Sequence, residues 1–307
     1  MRTRWNLLLL VLFLSGCTSS NGDQQGGETE QAGQLPVVHV SNYPLEYFVE
    51  RIAGPVVEVR FPAAVSDDPA LWHPTTEDIT EMQASALIVL NGASYEGWLE
   101  NVSLPASRMV ETARGFESSW IRLEEATTHS HGQEGEHEHG LTAFTTWLDL
   151  ELAIEQARAL RDALVLRLPD HASHFQDNFS RLEEDLLGID SEFAALATQA
   201  PNTPVLFSHP VYQYFETRYG ARARSVHWEP DAMPDEDMWD ELEEIQSGHE
   251  AQWMLWEGEP LPETVRRLEE MGIQSAVLNP CGNRPETGDF LEVMALNASV
   301  LRRIYSE

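Results

Sequence analysis

From Leu148 to Gln199 the chain runs for about fifty residues without a strand-like segment, broken only at Pro169, which spells two consecutive helices. In the second, Phe175, Phe179, Leu182, Leu186, Ile189, Phe193 and Leu196 recur alternately four and three residues apart, so all seven share one helical stripe. A helix from His171 to Gln199, with Asp170 as its N-cap, would extend roughly 40 Å, enough to run beside two globular bodies. Only some four heptads are present and both flanks carry globular patterns, so the stripe reads as a strut rather than a coiled-coil dimer.

On either side of this segment, short β-branched runs alternate with helical stretches. Before it stand Val37 to Val40, Val56 to Phe61 and Ala86 to Leu90; after it stand Val205 to Ser208, Trp253 to Trp256 and Ala276 to Leu278. Most are apolar throughout, as expected for parallel strands covered on both faces, and they predict an α/β chain with two separate sheets. In open α/β sheets ligands collect outside the carboxyl ends of the strands. The residues there are polar: Asn42 and Tyr43, Asn91, His209, Glu257, and Asn279 with Cys281.

The N-terminus reads as an address. Arg2 and Arg4 precede the apolar run Leu7 to Leu14, too short to span a bilayer but suited to a signal-peptide core. The run closes on Leu14-Ser-Gly-Cys17, which looks like a bacterial lipobox with Cys17 as the lipidated residue. With Cys17 acylated, Cys281 is the only other of the 2 cysteines, which excludes an intrachain disulfide. Ser19 to Gln34 is too polar to fold and reads as a flexible tether. The 19 basic residues, all Arg, face 51 acidic ones for a formal net charge of −32, which excludes nucleic acid as a partner.

Between His129 and His139 the chain places four of its 11 histidines (His129, His131, His137 and His139) among Glu and Gly, with no apolar anchor. Imidazoles mixed with carboxylates suit a borderline cation such as zinc. His227-Trp228-Glu229-Pro230 and Trp253-Met-Leu-Trp256-Glu257 are acidic and aromatic, which makes Glu229 and Glu257 candidate cleft-lining residues beside Asn42, Tyr43 and Asn91.

At this point the chain resembles the zinc and manganese solute-binding proteins of ABC importers, the cluster A-I metal-binding lipoproteins, as a divergent member. The resemblance spans about residues 36 to 305. It rests on Val37-Val-His-Val-Ser-Asn-Tyr43-Pro-Leu, Ala86-Leu-Ile-Val-Leu-Asn91-Gly, the His-rich loop, Trp147-Leu-Asp149, Phe207-Ser-His209-Pro-Val-Tyr212-Gln-Tyr-Phe215 with Arg218-Tyr-Gly220, and Gly288-Asp289-Phe290. It implies two Rossmann-like lobes, each a small parallel sheet flanked by helices, joined by a long rigid backbone helix. The implied layout is a lipoprotein signal peptide at 1–16, a tether at 17–35, an N-terminal lobe at 36–147 that includes the loop 129–139, linking helices at 148–200 and a C-terminal lobe at 201–307.

The resemblance also implies a metal site, and here the sequence departs from the family. His209 and Asp289 fall on two of the four usual ligand positions. The other two are Ala70, in Asp68-Pro-Ala-Leu-Trp-His73-Pro, and Thr145, before Trp147. A methyl group cannot coordinate a cation and a lone neutral hydroxyl is a poor zinc ligand. His137, His139 and His131 of the loop, and His73 three residues after Ala70, are the expected replacements.

The function implied is capture of a divalent cation, Zn2+ in the first place and Mn2+ in the second. The ion would pass to an ABC permease driven by a cytoplasmic ATPase, from a monomer lipid-anchored on the extracytoplasmic, periplasmic side of a bacterial membrane. The same architecture binding a metal chelate or an organic ligand is the alternative that Ala70, Thr145 and the extra tryptophans suggest. A hydrolase is the third class. Ser208 beside His209 is poor triad geometry, because adjacent strand residues point oppositely and no Gly-x-Ser-x-Gly elbow surrounds them. No enzymatic activity is expected.

Overall fold

Continuous apolar runs become the inner strands of two four-stranded parallel sheets in a computed structural model, which describes residues 35–65, 68–123 and 142–306 together with the backbone of 128–130 and 136–138. The first sheet contains β1 (Val37–Val40), β2 (Glu58–Arg60), β3 (Leu87–Leu90) and β4 (Met109–Glu111) in the order β2-β1-β3-β4. Helices α1 (Tyr43–Ala53) and α2 (Thr76–Ala84) connect its strands. A short antiparallel hairpin, β5 (Thr128–Ser130) and β6 (Glu136–Glu138), sets His129 opposite His137 in backbone register.

The two expected helices follow as α3 (Leu150–Arg167) and α4 (Ala172–Gln199). The second sheet holds β7 (Pro204–Phe207), β8 (Arg222–Ser225), β9 (Trp253–Trp256) and β10 (Gln274–Val277) in the order β10-β9-β7-β8. Its connections are α5 (Gln213–Tyr219), α6 (Glu236–His249) and α7 (Pro262–Glu270), and α8 (Phe290–Ser306) closes the described chain. All four residues of β3 and of β9 are buried, as central parallel strands require. Among the described residues no helix is long and apolar enough to cross a membrane.

Several local expectations need correction. The expected strand Val56 to Phe61 shortens to Glu58–Arg60, because Gly54 at φ 55° and Pro55 form a 3-10 turn over Gly54–Val56. Asp170 does not cap α4. It lies in a second 3-10 turn, Pro169–His171, and the helix starts after His171 without a side-chain cap. The edge strands β4 and β8 carry no continuous apolar run and were not legible in the sequence.

The 28-residue α4 packs against α1 and α3 on one side and α5 and α8 on the other, so it runs along both sheets as a strut. Its stripe is buried as expected except at one place, where Asp190 is buried and Ile189 only half-buried. A 3.6-residue period drifts against a strict seven-residue pattern, and the drift brings Asp190 inward. There its carboxylate accepts from Arg218 Nε (3.1 Å) and Nη2 (2.7 Å) and from Tyr219 Oη (2.9 Å). Arg218 also reaches Glu151 of α3 at 2.8 Å, so one guanidinium ties α5 to both long helices. Asp190→Ala is expected to destabilise the fold by about 2 kcal/mol, since it removes the most buried of Arg218's carboxylate partners and the acceptor of the Tyr219 hydroxyl, leaving Arg218 to Glu151 and Asp149. The midpoint of chemical denaturation checks this, and a variant as stable as the parent would contradict it.

Loops at the carboxyl ends of the two sheets are stitched together. Tyr43 N–H donates to Gly282 O (3.1 Å), Trp147 Nε1 to Pro280 O (2.7 Å) and Tyr214 Oη to Ala143 O (3.1 Å), while Glu46 binds Arg284 through both carboxylate oxygens. The described chain from Leu35 onward is accordingly one compact unit.

Candidate metal-binding site

Each sheet reverses its direction of growth once, between β1 and β3 in the first and between β7 and β9 in the second. At such a switch point the connections leave in opposite directions and open a crevice. The two crevices are furnished differently.

In the first, Asn42 and Asn91 are fully buried and occupied with each other. Asn42 caps α1 through Oδ1 (3.1 Å to Leu45 N) and donates to Asn91 Oδ1, which also accepts from Gln156 of α3. Glu96 closes the turn by accepting from Asn91 N (2.6 Å) and Gly92 N (3.0 Å), and burial pushes its carboxyl up to about 7 against those bonds. Tyr43 is buried, and burial raises its phenol strongly. These expected cleft-lining residues therefore form a structural polar tie between sheet and helix.

The second crevice gathers chemistry. His209 stands two residues past β7 and Glu257 immediately past β9, and these strands are neighbours. Phe207 stacks on Tyr212 at 4.3 Å and Tyr212 Oη donates to Leu278 O, which pins the loop that carries His209. Trp228 N–H donates to Ser208 O (2.7 Å) while its ring packs with Trp239 and Trp256, and this draws Glu229 to the same point.

The result is a buried imidazole between two carboxylates. Nδ1 lies 3.3 Å from Glu257 Oε1 and Nε2 lies 3.8 Å from Glu229 Oε1, with the His227 ring perpendicular at 6.1 Å. Burial first, and then the charges of Glu229 and Asp68, push Glu257 up to about 8. Burial, reinforced by these neighbouring charges, thus favours the protonated form of Glu257.

Among the described residues no group of three or more His, Cys, Asp or Glu side chains already converges as a metal cage. The arrangement is nonetheless suited to one. Donors about 2.0–2.1 Å from a tetrahedral ion are separated by about 3.3 Å, the spacing seen at Nδ1 and Glu257. Each ring nitrogen has a carboxylate within 4 Å, Glu257 at Nδ1 and Glu229 at Nε2, so a carboxylate stands near the imidazole whichever nitrogen takes an ion.

The remaining expected ligands lie as follows. Asp289 is at the start of α8, where its Oδ1 accepts from Glu292 N (3.0 Å) and its charge bears on Tyr43 and Cys281. His73 is exposed, with Nδ1 2.9 Å from Leu71 O. Thr145 is buried and its hydroxyl donates to Val211 O, and Ala70 sits in a 3-10 turn capped by Asp68. His131 and His139 lie outside the described residues, as do Cys17 and the whole leader and tether, while His137 is described by its backbone alone. Sequence reasoning gave Asp68 no role and named His227 only within its acidic, aromatic stretch, and it had no means of seeing that β7 and β9 are adjacent.

The pH dependence of stability follows from one buried and two half-buried carboxylates. Glu96 and Glu216 are pushed up to about 7 and Glu257 to about 8, all from 4.5. Between pH 4.5 and 8 the folded protein retains protons that the unfolded chain has released, so stability falls as pH rises through that window. A loss on the order of a few kcal/mol is expected in chelator-treated protein, followed by denaturation midpoints, and a flat or rising profile would contradict it.

Comparison with known proteins places this geometry in context. The family model for the periplasmic zinc-uptake complex component A, ZnuA, matches residues 38–304. The zinc-binding protein AdcA of Streptococcus pyogenes serotype M3 is 24% identical over 289 residues, covering 88% of this chain, which itself spans only 56% of that relative. The high-affinity zinc uptake system protein ZnuA of Bacillus subtilis is 23% identical over 325 residues and covers 98% of both chains. Among solved structures, the Zn(II)-bound ZnuA-like domain of Streptococcus pneumoniae AdcA superposes with a TM-score of 0.74 at 20% identity, covering 90% of this chain and 100% of that domain.

Proposed function

The chain belongs to the periplasmic zinc-uptake component A family, and on that premise we propose that it is the extracytoplasmic capture protein of an ABC importer for a divalent transition metal, Zn2+ before Mn2+. The observation that carries the proposal is His209 held between Glu257 and Glu229 at the β7–β9 switch point. The ion binds one imidazole nitrogen and the carboxylate facing it, and the opposite carboxylate orients the ring. Asp289, which falls on the acidic ligand position that the family resemblance implies, supplies a further oxygen. The histidines at 131, 137 and 139 complete the shell in place of the donors missing at Ala70 and Thr145. No reaction is catalysed. The ion is cargo, released when a membrane permease powered by a separate ATPase draws the ligands apart.

Zinc affinity measured by competition against a chelator of known strength tests this reading, with Glu257→Gln and Glu229→Gln compared. Replacing the coordinating carboxylate is expected to cost more than a hundredfold and replacing the orienting one about ten- to a hundredfold. Wild-type affinity in both would overturn it.

The monomer works beside the membrane through lipid on Cys17. Cys17→Ser is therefore expected to leave the membrane fraction, because one acyl-bearing residue is the whole anchor. Mass spectrometry of the mature N-terminus checks this directly, and an unmodified thiol in the wild type would contradict it.

A further inference from the structure

Between the outermost strand β8 and the C-terminal end of α6 lies a recess of about 370 Å³, lined by Arg222, Ala223, Arg224, Ile245, Gly248 and His249. None of these residues belongs to the His209 site. Register explains why the recess is basic. Pro204 pairs with Arg222 and Leu206 with Arg224, so both arginines lie on the Leu206 face of the sheet. This is the face that α6 covers, and around Leu206 it is filled by Trp228, Trp239, Leu242, Met254 and Trp256. One strand further out the apolar filling stops. The helix contributes Gly248 there, where an added Cβ would meet nothing within 4 Å. His249, donating Nε2–H to Val205 O at 2.8 Å, closes the floor.

Neither charge is matched by a carboxylate at ion-pair distance among the described residues. Arg51, Arg60, Arg158, Arg218, Arg267 and Arg284 all pair with carboxylates, whereas among the described residues neither Arg222 nor Arg224 has an acidic partner within ion-pair distance. Arg224 acts electrostatically on Glu216, whose carboxyl burial nevertheless pushes up to about 7. In a chain with 51 acidic residues and 19 arginines, two neighbouring solvent-facing guanidiniums without an ion-pair partner line one recess, an arrangement open to an external anion.

We infer that this recess is an oxyanion site that takes a phosphate group between the Arg222 and Arg224 guanidiniums. Side chains two apart on a strand are separated by roughly 7 Å. A tetrahedral phosphate can offer separate oxygens to both forks, while a planar carboxylate satisfies one. The group is either free inorganic phosphate or the head group of an anionic phospholipid. The C-terminal carbonyls of α6 favour cations nearby and account for the presence of arginine, but not for the open volume beneath Gly248.

Calorimetric titration of the mature protein with inorganic phosphate, and separately with monomeric dihexanoyl phosphatidylglycerol and dihexanoyl phosphatidylcholine, tests the inference. Saturable binding of about one phosphate group per chain is expected, with no binding of phosphatidylcholine. Binding of phosphatidylglycerol alone identifies a lipid head group as the source, and binding of inorganic phosphate alone identifies the free ion. R222Q/R224Q is expected to weaken binding at least about tenfold while zinc affinity stays unchanged. G248E, which sets a carboxylate in the recess and keeps both arginines, is expected to do the same and covers a double variant that fails to fold. No saturable binding of phosphate or phosphatidylglycerol by the wild type, or wild-type binding in a folded variant, would overturn it.

Discussion

Replacing His209 by alanine is expected to lower zinc affinity at least about a hundredfold while leaving the fold intact. The residue lies in the loop past β7, outside every apolar cluster, so its loss removes no core packing. What it removes is the imidazole that lies between Glu257 and Glu229, with a carboxylate near each ring nitrogen. A tight zinc site is worth on the order of 10 kcal/mol or more, shared among about four donors, so losing its central donor should cost several kcal/mol. The two carboxylates would then face each other without an intervening imidazole, and their repulsion disfavours the ionised pair that a cation needs. Competition against a chelator gives the affinity and circular dichroism the fold. A folded His209→Ala protein with wild-type affinity would place the site elsewhere.

Deleting residues 130–139 is expected to weaken the principal zinc site by at least about tenfold, and not merely to remove weakly held ions. The reasoning is coordination number. Ala70 has no donor and the Thr145 hydroxyl is taken by Val211 O, so the positions that the family fills from the first lobe are empty of ligands here. His209, one glutamate and Asp289 make three donors, and a closed site ordinarily needs four. Restoring a histidine with Ala70→His in the deleted chain should recover affinity if the crevice keeps the family's geometry. A deleted chain that retains one tight zinc would show that Glu229, Glu257, His209 and Asp289 suffice, all from the second lobe.

The legible parts of the fold were those written as continuous patterns. β1, β3, β7 and β9 are short apolar runs buried on nearly every residue, and α4 announces itself by its stripe. β4 (Met-Val-Glu) and β8 (Arg-Ala-Arg-Ser) escaped because edge strands meet solvent and need no such run. Asp190 escaped because a stripe counted in sevens slides past an axis that turns in 3.6.

The site was legible residue by residue and not as an arrangement. His209 and Glu257 stand out as polar groups past a strand, and Glu229 as the acid of an aromatic stretch. Their convergence depends on β7 lying beside β9 and on Trp228 binding back to Ser208, both products of tertiary pairing across many residues. Asn42 and Asn91 look just as exposed in sequence, yet Gln156 of α3 reaches in and consumes their hydrogen-bonding capacity.

Anomalous diffraction at the zinc edge, from crystals of the tag-free mature protein loaded with one equivalent of Zn2+, tests the central claim most directly. The account predicts one strong peak within about 2.1 Å of a His209 ring nitrogen, with a carboxylate oxygen of Glu257 or Glu229 also at bonding distance. A single fully occupied peak bound to other residues, with His209 still bridging the two glutamates, would contradict it.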